Sequence, residues 1–477
     1  MATRIAFGTE GWRAVIAEEF TADNVRLVAQ AIAGHARDLA RPAVGGARAP
    51  VIAVGYDTRF LSDYFARAVC EVLAGNGLRS VLSDRPVPTC AVSRAVVARR
   101  LPLGVMITAS HNPGIYNGIK VKEAFGGSAT TETVASIERR LGRAAVKRAP
   151  FEEAARAGAI RTADFLPAFL RGIAAVIDLA AIRRRPFRVV VDSMHGVGGR
   201  LIERLLAGGR CRVETRRAEP DPRFGGEPPE PIPSHLQGLS RAVRRDRADL
   251  GIATDGDADR LGIVGPGGAW LNPGQVLCVL LEHLITARRA SGAVVKTVSN
   301  TMLINRLTEA LGLRLLEVPV GFKHIAKLML EEDVLIGGEE SGGIGVKGYL
   351  PERDGILNDL LLLEAMAVSR QPLAALLTRL ERRYGRWHYG RQDLHLKMPQ
   401  VERLFTRLHH QPPMSLAGVP VVRINRLDGV KLIGRDDTWL LFRRSGTEPI
   451  VRIYAETPQS SRLSRLLAFG VSLAKRP

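Results

Sequence analysis

Short apolar runs alternate with amphipathic stretches along the first four-fifths of the chain, and most of the runs end in glycine or polar clusters. Runs of this length, rich in β-branched residues and bounded by turn signals, predict buried strands, and the stretches between them predict helices. An amphipathic helix starts near Thr21, a strand covers Val51–Asp57, a helix Phe65–Leu73, and a second strand lies around Ser80–Ser83. Another helix leads to the strand Leu103–Ile107. The plan returns with strand Arg188–Asp192, helix Leu201–Leu206, strand Arg212–Thr215, a Pro-rich loop over 219–233, a helix, and strand Asp249–Ala253. It returns again with strands Val294–Val298, Leu315–Val318 and Val334–Ile336. Beyond a helix at 372–384 the pattern changes to short strands at Val419–Asn425, Gly429–Ile433, Thr438–Phe442 and Ile450–Glu456, closed by a helix from Ser460. The expected fold class is therefore α/β, with three similar α/β domains followed by a smaller α+β domain. The expected boundaries are 1–150, 151–265, 266–385 and 386–477.

Each α/β unit delivers a polar motif from the end of its third strand, where ligands of open α/β sheets collect. Three such ends, brought together, would build one central cleft. The first is Thr108-Ala109-Ser110-His111-Asn112-Pro113, a turn that presents a serine hydroxyl beside an imidazole and within reach of Lys120. Those groups suit a phosphoryl-carrying nucleophile, and the competing reading is a Ser/Asn turn that merely ends a strand. The second is Thr254-Asp255-Gly256-Asp257-Ala258-Asp259-Arg260, whose alternating carboxylates can converge on one point. Three close acids repel unless a hard cation compensates them, Mg2+ foremost, and the alternative is a solvated acidic turn. The third, Gly337-Gly338-Glu339-Glu340-Ser341-Gly342-Gly343, offers Glu339 as acceptor and Ser341 as donor for vicinal sugar hydroxyls. In the last domain Gly446-Thr447-Glu448, with Arg443, Ser445 and Arg452, is an anion cradle or, failing that, a plain glycine turn.

Composition sharpens the choice of partner. Lys plus Arg number 68 against 48 Asp plus Glu, a net charge of +20 that favours anionic ligands. Aromatic residues are only 5%, poor provision for stacking on bases, so nucleic acid is not the expected partner. Cys70, Cys90, Cys211 and Cys278 show no paired metal spacing and are expected as free thiols. With no apolar leader and no membrane-length apolar run, the expected setting is the cytoplasm, with no membrane partner. Gly196-Val197-Gly198-Gly199 lacks the third glycine of a dinucleotide fingerprint, because Leu201 stands there. The pair His409-His410 is expected at the surface.

With the four motifs in this order, the chain resembles the α-D-phosphohexomutases along essentially its whole length. The resemblance implies mixed sheets in the three α/β domains, a last domain like a TATA-binding-protein fold, and a central cleft. It makes Ser110 the phosphorylated nucleophile and Asp255, Asp257 and Asp259 the Mg2+ ligands, with a phosphoryl oxygen on Ser110 as the fourth. Arg13, His111, Lys120 and Arg260 match positions around the reacting phosphate, with Lys120 a candidate proton carrier. Glu339 and Ser341 would grip sugar hydroxyls, and Arg443, Ser445, Gly446, Thr447 and Arg452 would hold the non-transferring phosphate. The loop Pro319-Val320-Gly321-Phe322-Lys323 is similar to the Pro-Thr-Gly-Trp-Lys loop of phosphoglucomutases, which brings Lys323 to the substrate. Glu340 stands where aminosugar mutases often carry Gln and dual-specificity enzymes Met, and both features favour glucose phosphate over mannose or glucosamine phosphate. The implied activator is glucose 1,6-bisphosphate, and the implied oligomeric state is monomer or homodimer. Arg444 departs from the small or apolar residue usual in the phosphate loop. The rivals are a metal-dependent phosphatase and, from another class, an Arg-rich nucleic-acid binder.

Overall fold

In the computed structural model, which describes residues 5–8, 10–39, 49–444 and 450–475, six strands build the first sheet. They are β1 (Trp12–Val15), β2 (Val51–Tyr56), β3 (Arg79–Ser83), β4 (Leu103–Ile107), β5 (Tyr116–Glu123) and β6 (Ile160–Ala163), in the order β1-β5-β4-β2-β3-β6. The four strands β4, β2, β3 and β6 are mutually parallel; β5 returns antiparallel beside β4 and carries β1 antiparallel on its far side. Helices Ala22–Leu39, Ser62–Gly75 and Thr89–Arg99 pack on this sheet, which is why β2 and β4 read as apolar runs. The core between them is built from Phe20, Val25, Ile32, Ile52, Val54, Phe65, Val69, Leu73, Val105 and Ile107, all buried.

The second sheet holds β7 (Arg188–Asp192), β8 (Arg212–Arg216), β9 (Leu250–Thr254), β10 (Leu261–Val264) and β11 (Trp270–Leu271), in the order β11-β10-β9-β7-β8. β7 is parallel to both β8 and β9, while β9 and β10 form an antiparallel hairpin. Contacts divide the chain into two units. One comprises Met1–Leu271, Ala326–Asp333 and Ser341–Leu373, and the other Asn272–Ile325, Val334–Glu340 and Ala374–Pro477.

The second unit contains the parallel strands β12 (Ala293–Thr297), β13 (Leu315–Val318) and β14 (Val334–Gly338), with β12 in the middle. The short strand β15 (Ile344–Val346) falls in the first unit. The C-terminal sheet has β16 (His388–His395), β17 (Ser415–Leu416), β18 (Val419–Asn425), β19 (Val430–Gly434), β20 (Trp439–Arg444) and β21 (Ile450–Thr457). Its order is β16-β21-β20-β19-β18-β17, antiparallel throughout, with helices Met398–His410 and Ser460–Lys475 sharing its core. Within that unit, Met302 N donates to Glu456 Oε2 (2.7 Å), Lys431 Nζ to Val298 O (2.6 Å) and Val320 N to Asp428 Oδ2 (2.9 Å). These bonds tie the terminal sheet to the parallel strands, so a swing of the terminal sheet alone would break them.

The fold class expected from the sequence holds: three α/β domains with mixed sheets and a C-terminal antiparallel sheet. Several elements went unforeseen. Strands β1 (Trp12–Val15) and β5 (Tyr116–Glu123) were not among the expected elements. Strand β16 and helix Met398–His410 were not expected at all. Among the described residues no single helix is long and apolar enough to cross a membrane.

Candidate active site

Strand β4 ends at Ile107 and hands the chain to a turn built on hydroxyls. Thr108 Oγ1 donates to Asp57 Oδ2 (2.6 Å) and accepts from Ser110 N (2.8 Å). Ser110 is fully buried and takes the left-handed backbone conformation (φ 55°), a strain of roughly 1–2 kcal/mol for a residue with a side chain. In that pose its Oγ donates to Asp255 Oδ2 at 3.0 Å.

The three aspartates occupy the loop between β9 and β10. Asp255 Oδ1 accepts from Asp259 N (3.0 Å) and Arg260 N (3.2 Å), which curls the loop and turns the three side chains inward. One carboxylate oxygen from each of Asp255, Asp257 and Asp259 lies within 4.8 Å of the others, and all three residues are buried. Gly256 permits the close docking of this loop: a Cβ there would meet Ser110 O at 2.5 Å.

Lys120 on β5 places Nζ 2.7 Å from both Asp257 Oδ2 and Asp259 Oδ2. Thr89 Oγ1 also donates to Asp257 Oδ2, and Arg353 donates to Asp259 Oδ2 (2.9 Å) and to Glu10. Burial opposes ionisation of Asp259, yet Arg353 and Lys120 hold its carboxyl well below the usual range. Asp255 is pushed well above that range by burial and by its two acidic neighbours. Asp257 Oδ1 and Asp259 Oδ1 are buried without a hydrogen-bond partner. Oxygen donors so gathered, two of them unsatisfied, fit a hard divalent cation.

Around this cluster stand the other expected groups. Arg13 Nη1 donates to Asn112 Oδ1 (2.8 Å). Burial, then the charges of Arg260, Arg13 and Arg353, keep His111 neutral, well below its ordinary pKa, and its Nδ1 is buried without a partner. The Arg260 Nε is likewise buried and unpartnered. Ser110, His111, Lys120, Arg13, Arg260 and the three aspartates are thus gathered within one unit. Sequence reasoning missed Glu10, Asp57, Arg59, Thr89 and Arg353, all buried or nearly so around the same turn and loop. The signal for Arg353 was the charged triplet Glu352-Arg353-Asp354 at the head of an apolar helix.

The second unit holds most of the expected substrate-binding set. Glu339 is buried and its Oε1 accepts from Gly321 N (3.1 Å), and Lys323 lies half-buried in the first turn of helix Phe322–Glu331. Glu340 accepts from Thr297 Oγ1 (3.0 Å) and Ser299 Oγ (2.6 Å). Arg443 and Arg452 are direct cross-strand partners on β20 and β21. Asp428 Oδ2 accepts from Arg443 Nε at 2.7 Å, while Arg452 Nε lies 3.7 Å from Asp393 Oδ2. Ser341, half-buried, belongs to the first unit. Ser445, Gly446 and Thr447 lie outside the described residues. Arg444, the unusual residue, grips Glu402 with both Nη atoms (2.6 and 3.0 Å) and covers the Phe405 ring, so it packs on helix Met398–His410. His409 Nδ1 lies 2.7 Å from Phe405 O, and His410 is exposed, as expected of a surface pair. The four cysteines are free.

Comparison with known proteins agrees with this layout. Family models for phosphoglucomutase/phosphomannomutase α/β/α domains I, II and III match residues 4–147, 167–268 and 272–384. A phosphoglucomutase/phosphomannomutase of Thermococcus kodakarensis is 30% identical over 98% of each chain. A probable phosphoglucosamine mutase of Methanothermobacter thermautotrophicus is 31% identical over 94% of this chain and 93% of its own. The crystal structure of a putative phosphomannomutase from Thermus thermophilus superposes with a TM-score of 0.86 at 38% identity, covering all of both chains. Three domain models matched in order and full-length similarity at this level establish that the chain belongs to the phosphoglucomutase/phosphomannomutase family of α-D-phosphohexomutases.

Proposed function

We propose that this phosphohexomutase interconverts glucose 1-phosphate and glucose 6-phosphate through a phosphorylated Ser110 and a glucose 1,6-bisphosphate intermediate. The observation that carries the proposal is the Ser110 hydroxyl, buried 3.0 Å from Asp255 in a three-carboxylate cluster that Lys120 enters. Fixed cations of that kind neutralise charge that develops on a transferring phosphoryl group. In the proposed cycle the Oγ–P bond of phospho-Ser110 breaks as a bond forms to the free sugar hydroxyl, whose proton passes to a nearby base. Lys120, which burial would deprotonate but Asp257 and Asp259 keep protonated, is the candidate proton carrier on the acid side, giving its proton to Ser110 Oγ as the Oγ–P bond breaks. The bisphosphate then turns end for end, and its other phosphoryl group returns to Ser110 Oγ. Mg2+ held by Asp255, Asp257 and Asp259 would supply further neutralising charge at the transferring oxygens. Arg443, Ser445, Gly446, Thr447 and Arg452 are assigned the non-transferring phosphate, and Glu339, Ser341 and Lys323 the sugar side.

A second proposal, glucosamine phosphate as substrate, draws support from the name of the Methanothermobacter relative. A cytoplasmic setting and a monomeric or homodimeric state complete the proposal. One coupled assay separates the sugars by comparing glucose, mannose and glucosamine 1-phosphates, with glucose expected to turn over fastest. Ser110→Ala is expected to fall to background with every sugar. Activity within about tenfold of wild type, a barrier change near 1.4 kcal/mol, would overturn the nucleophile assignment.

A further inference from the structure

We infer that Arg59 is a positioning residue that fixes Ser110 for phosphoryl transfer, acting entirely through the backbone of the serine turn. The inference rests on Ser110 being the phosphorylated nucleophile. Arg59 lies just past the carboxyl end of β2, in Asp57-Thr58-Arg59, and is 3% exposed. A guanidinium has five N–H donors in one plane. Here each of the five has an acceptor. Nε donates to Asp57 Oδ2 (3.1 Å), Nη2 to Ser110 O and Asn112 O (both 2.7 Å), and Nη1 to Pro113 O (2.8 Å) and Tyr116 O (3.0 Å). The Phe224 ring covers the guanidinium, its centroid 4.7 Å from Cζ. With every donor committed and a face covered, Arg59 has nothing left to offer a substrate.

What it offers instead is a template. Four carbonyls of one turn, from residue 110 to residue 116, are gathered on a single planar group, and the first belongs to the nucleophile itself. The amide of that same residue is held from the other side. Asp57 Oδ2 accepts from Thr108 Oγ1, which in turn accepts from Ser110 N, so one carboxylate anchors both arms. Asp57 is itself set by bonds from Arg59 N (3.0 Å) and Ser62 Oγ (2.8 Å) to Oδ1. The peptide groups on both sides of Ser110 Cα are therefore clamped, which explains how a serine is kept at φ 55° with its Oγ on Asp255. A lysine in this place would keep the charge beside Asp57 but, with three donors and no plane, could not span four carbonyls.

The test uses the full-length enzyme. For Arg59→Lys, kcat is expected to fall about a hundredfold with KM within about twofold, since a misplaced nucleophile loses rate and not binding. Single-turnover phosphorylation of dephosphorylated Ser110 by glucose 1,6-bisphosphate, followed by intact mass, is expected to slow by the same factor. In Arg59→Ala, added guanidinium ion is expected to restore part of kcat while methylammonium does not. Thr108→Val cuts the second arm, is expected to show the same kcat-only loss, and carries the test should the Arg59 variants unfold at the assay temperature. A wild-type kcat in Arg59→Lys, a loss confined to KM, or a loss equal to the unfolded fraction would each overturn the inference. Turnover by Ser110→Ala would sink the nucleophile assignment. An inactive Ser110→Ala beside Arg59→Lys and Thr108→Val variants at wild-type kcat would sink the positioning role alone.

Discussion

Asp359 offers a test of how the core beneath the active site is balanced. It lies in helix Gly355–Ser369 among buried Ile356, Leu360, Leu361, Leu362, Leu363 and Met366. Its side chain is fully buried, and neither carboxyl oxygen has a hydrogen-bond partner. Burial, reinforced by the charge of Asp354, raises its pKa well above the ordinary 3.8, so the folded chain holds the neutral acid. Two costs follow. An unsatisfied buried polar group costs about 1–3 kcal/mol at any pH. Keeping the proton adds about 1.4 kcal/mol for each pH unit above the unfolded value, for as long as the folded group stays protonated. The sign is fixed by proton counts. With the folded pKa raised, the folded chain binds more protons than the unfolded one, so stability falls as pH rises.

Asp359→Asn keeps the shape and removes the titration. The stability difference between variant and wild type should therefore open in the variant's favour from about pH 4 upward, at about 1.4 kcal/mol per unit, until the wild-type acid ionises. Urea unfolding of both chains at several pH values measures it, and every other titrating group cancels in the difference. Asp359→Leu also removes the unsatisfied polar group, offset by about 1–3 kcal/mol of overpacking, so the sign rests on the Asn variant. Turnover should not change, because the link from this helix to the site runs through its N-cap. Asp354 Oδ1 accepts from Leu357 N (3.0 Å), and the preceding Arg353 holds Asp259. Parallel stability curves, or a wild type that gains on the variant as pH rises, would refute the account.

Two further outcomes are expected. Lys431 is buried on β19 with Nζ 4.1 Å over the Trp439 ring; burial and Lys296 lower its pKa to about 7, with Arg423 adding to the effect and Glu317 and Glu456 opposing it. The folded chain then binds fewer protons than the unfolded one between pH 10.5 and about 7, so stability should fall on acidification through that window. Lys431→Met should flatten the fall, as read by denaturant midpoints across the same range. Arg443→Ala should raise KM about ten- to a hundredfold with kcat largely kept, the loss of a charge-assisted contact of about 1.5–3 kcal/mol. An unchanged KM in the coupled assay would remove Arg443 from the phosphate grip.

What could be read in the sequence divides along a physical line. Strands β2, β4, β7, β9 and β12 were legible because their faces are covered and their residues run apolar. Strand β5 was hidden by two lysines that break the run, yet both are buried against acids far away in sequence, Lys120 on Asp257 and Asp259, Lys122 on Glu352. A charge that looks like a loop signal becomes a strand residue only when a distant carboxylate neutralises it. Strand β16 failed for the opposite reason, since most of its positions are exposed or half-exposed and show no apolar alternation. The cluster Gly196-Val197-Gly198-Gly199, set aside as an incomplete dinucleotide fingerprint, shares glycines with one because close backbone approach leaves a similar signature whatever approaches. In the fold a Cβ at residue 196 would meet Gly256 O at 2.6 Å, so this glycine clears the way for the aspartate loop.

The candidate site follows the same rule. Ser110 and the three aspartates were legible because each motif is contiguous and its chemistry lies within a few residues. Arg59 and Arg353 were not, because Arg59 is 51 residues from Ser110 and Arg353 is 94 residues from Asp259. The terminal motif stands between these cases. Arg443 and Arg452 were picked out by their flanking of a glycine turn, and the sheet then sets them directly opposite each other. Like charges in that position destabilise a ladder. Asp428 compensates the first closely at 2.7 Å, and Asp393 the second loosely at 3.7 Å. An isolated strand pair would gain by replacing one of the two arginines. Their facing placement has a chemical rationale once a third party of opposite charge shares them, and a phosphate dianion has oxygens for both guanidinium groups.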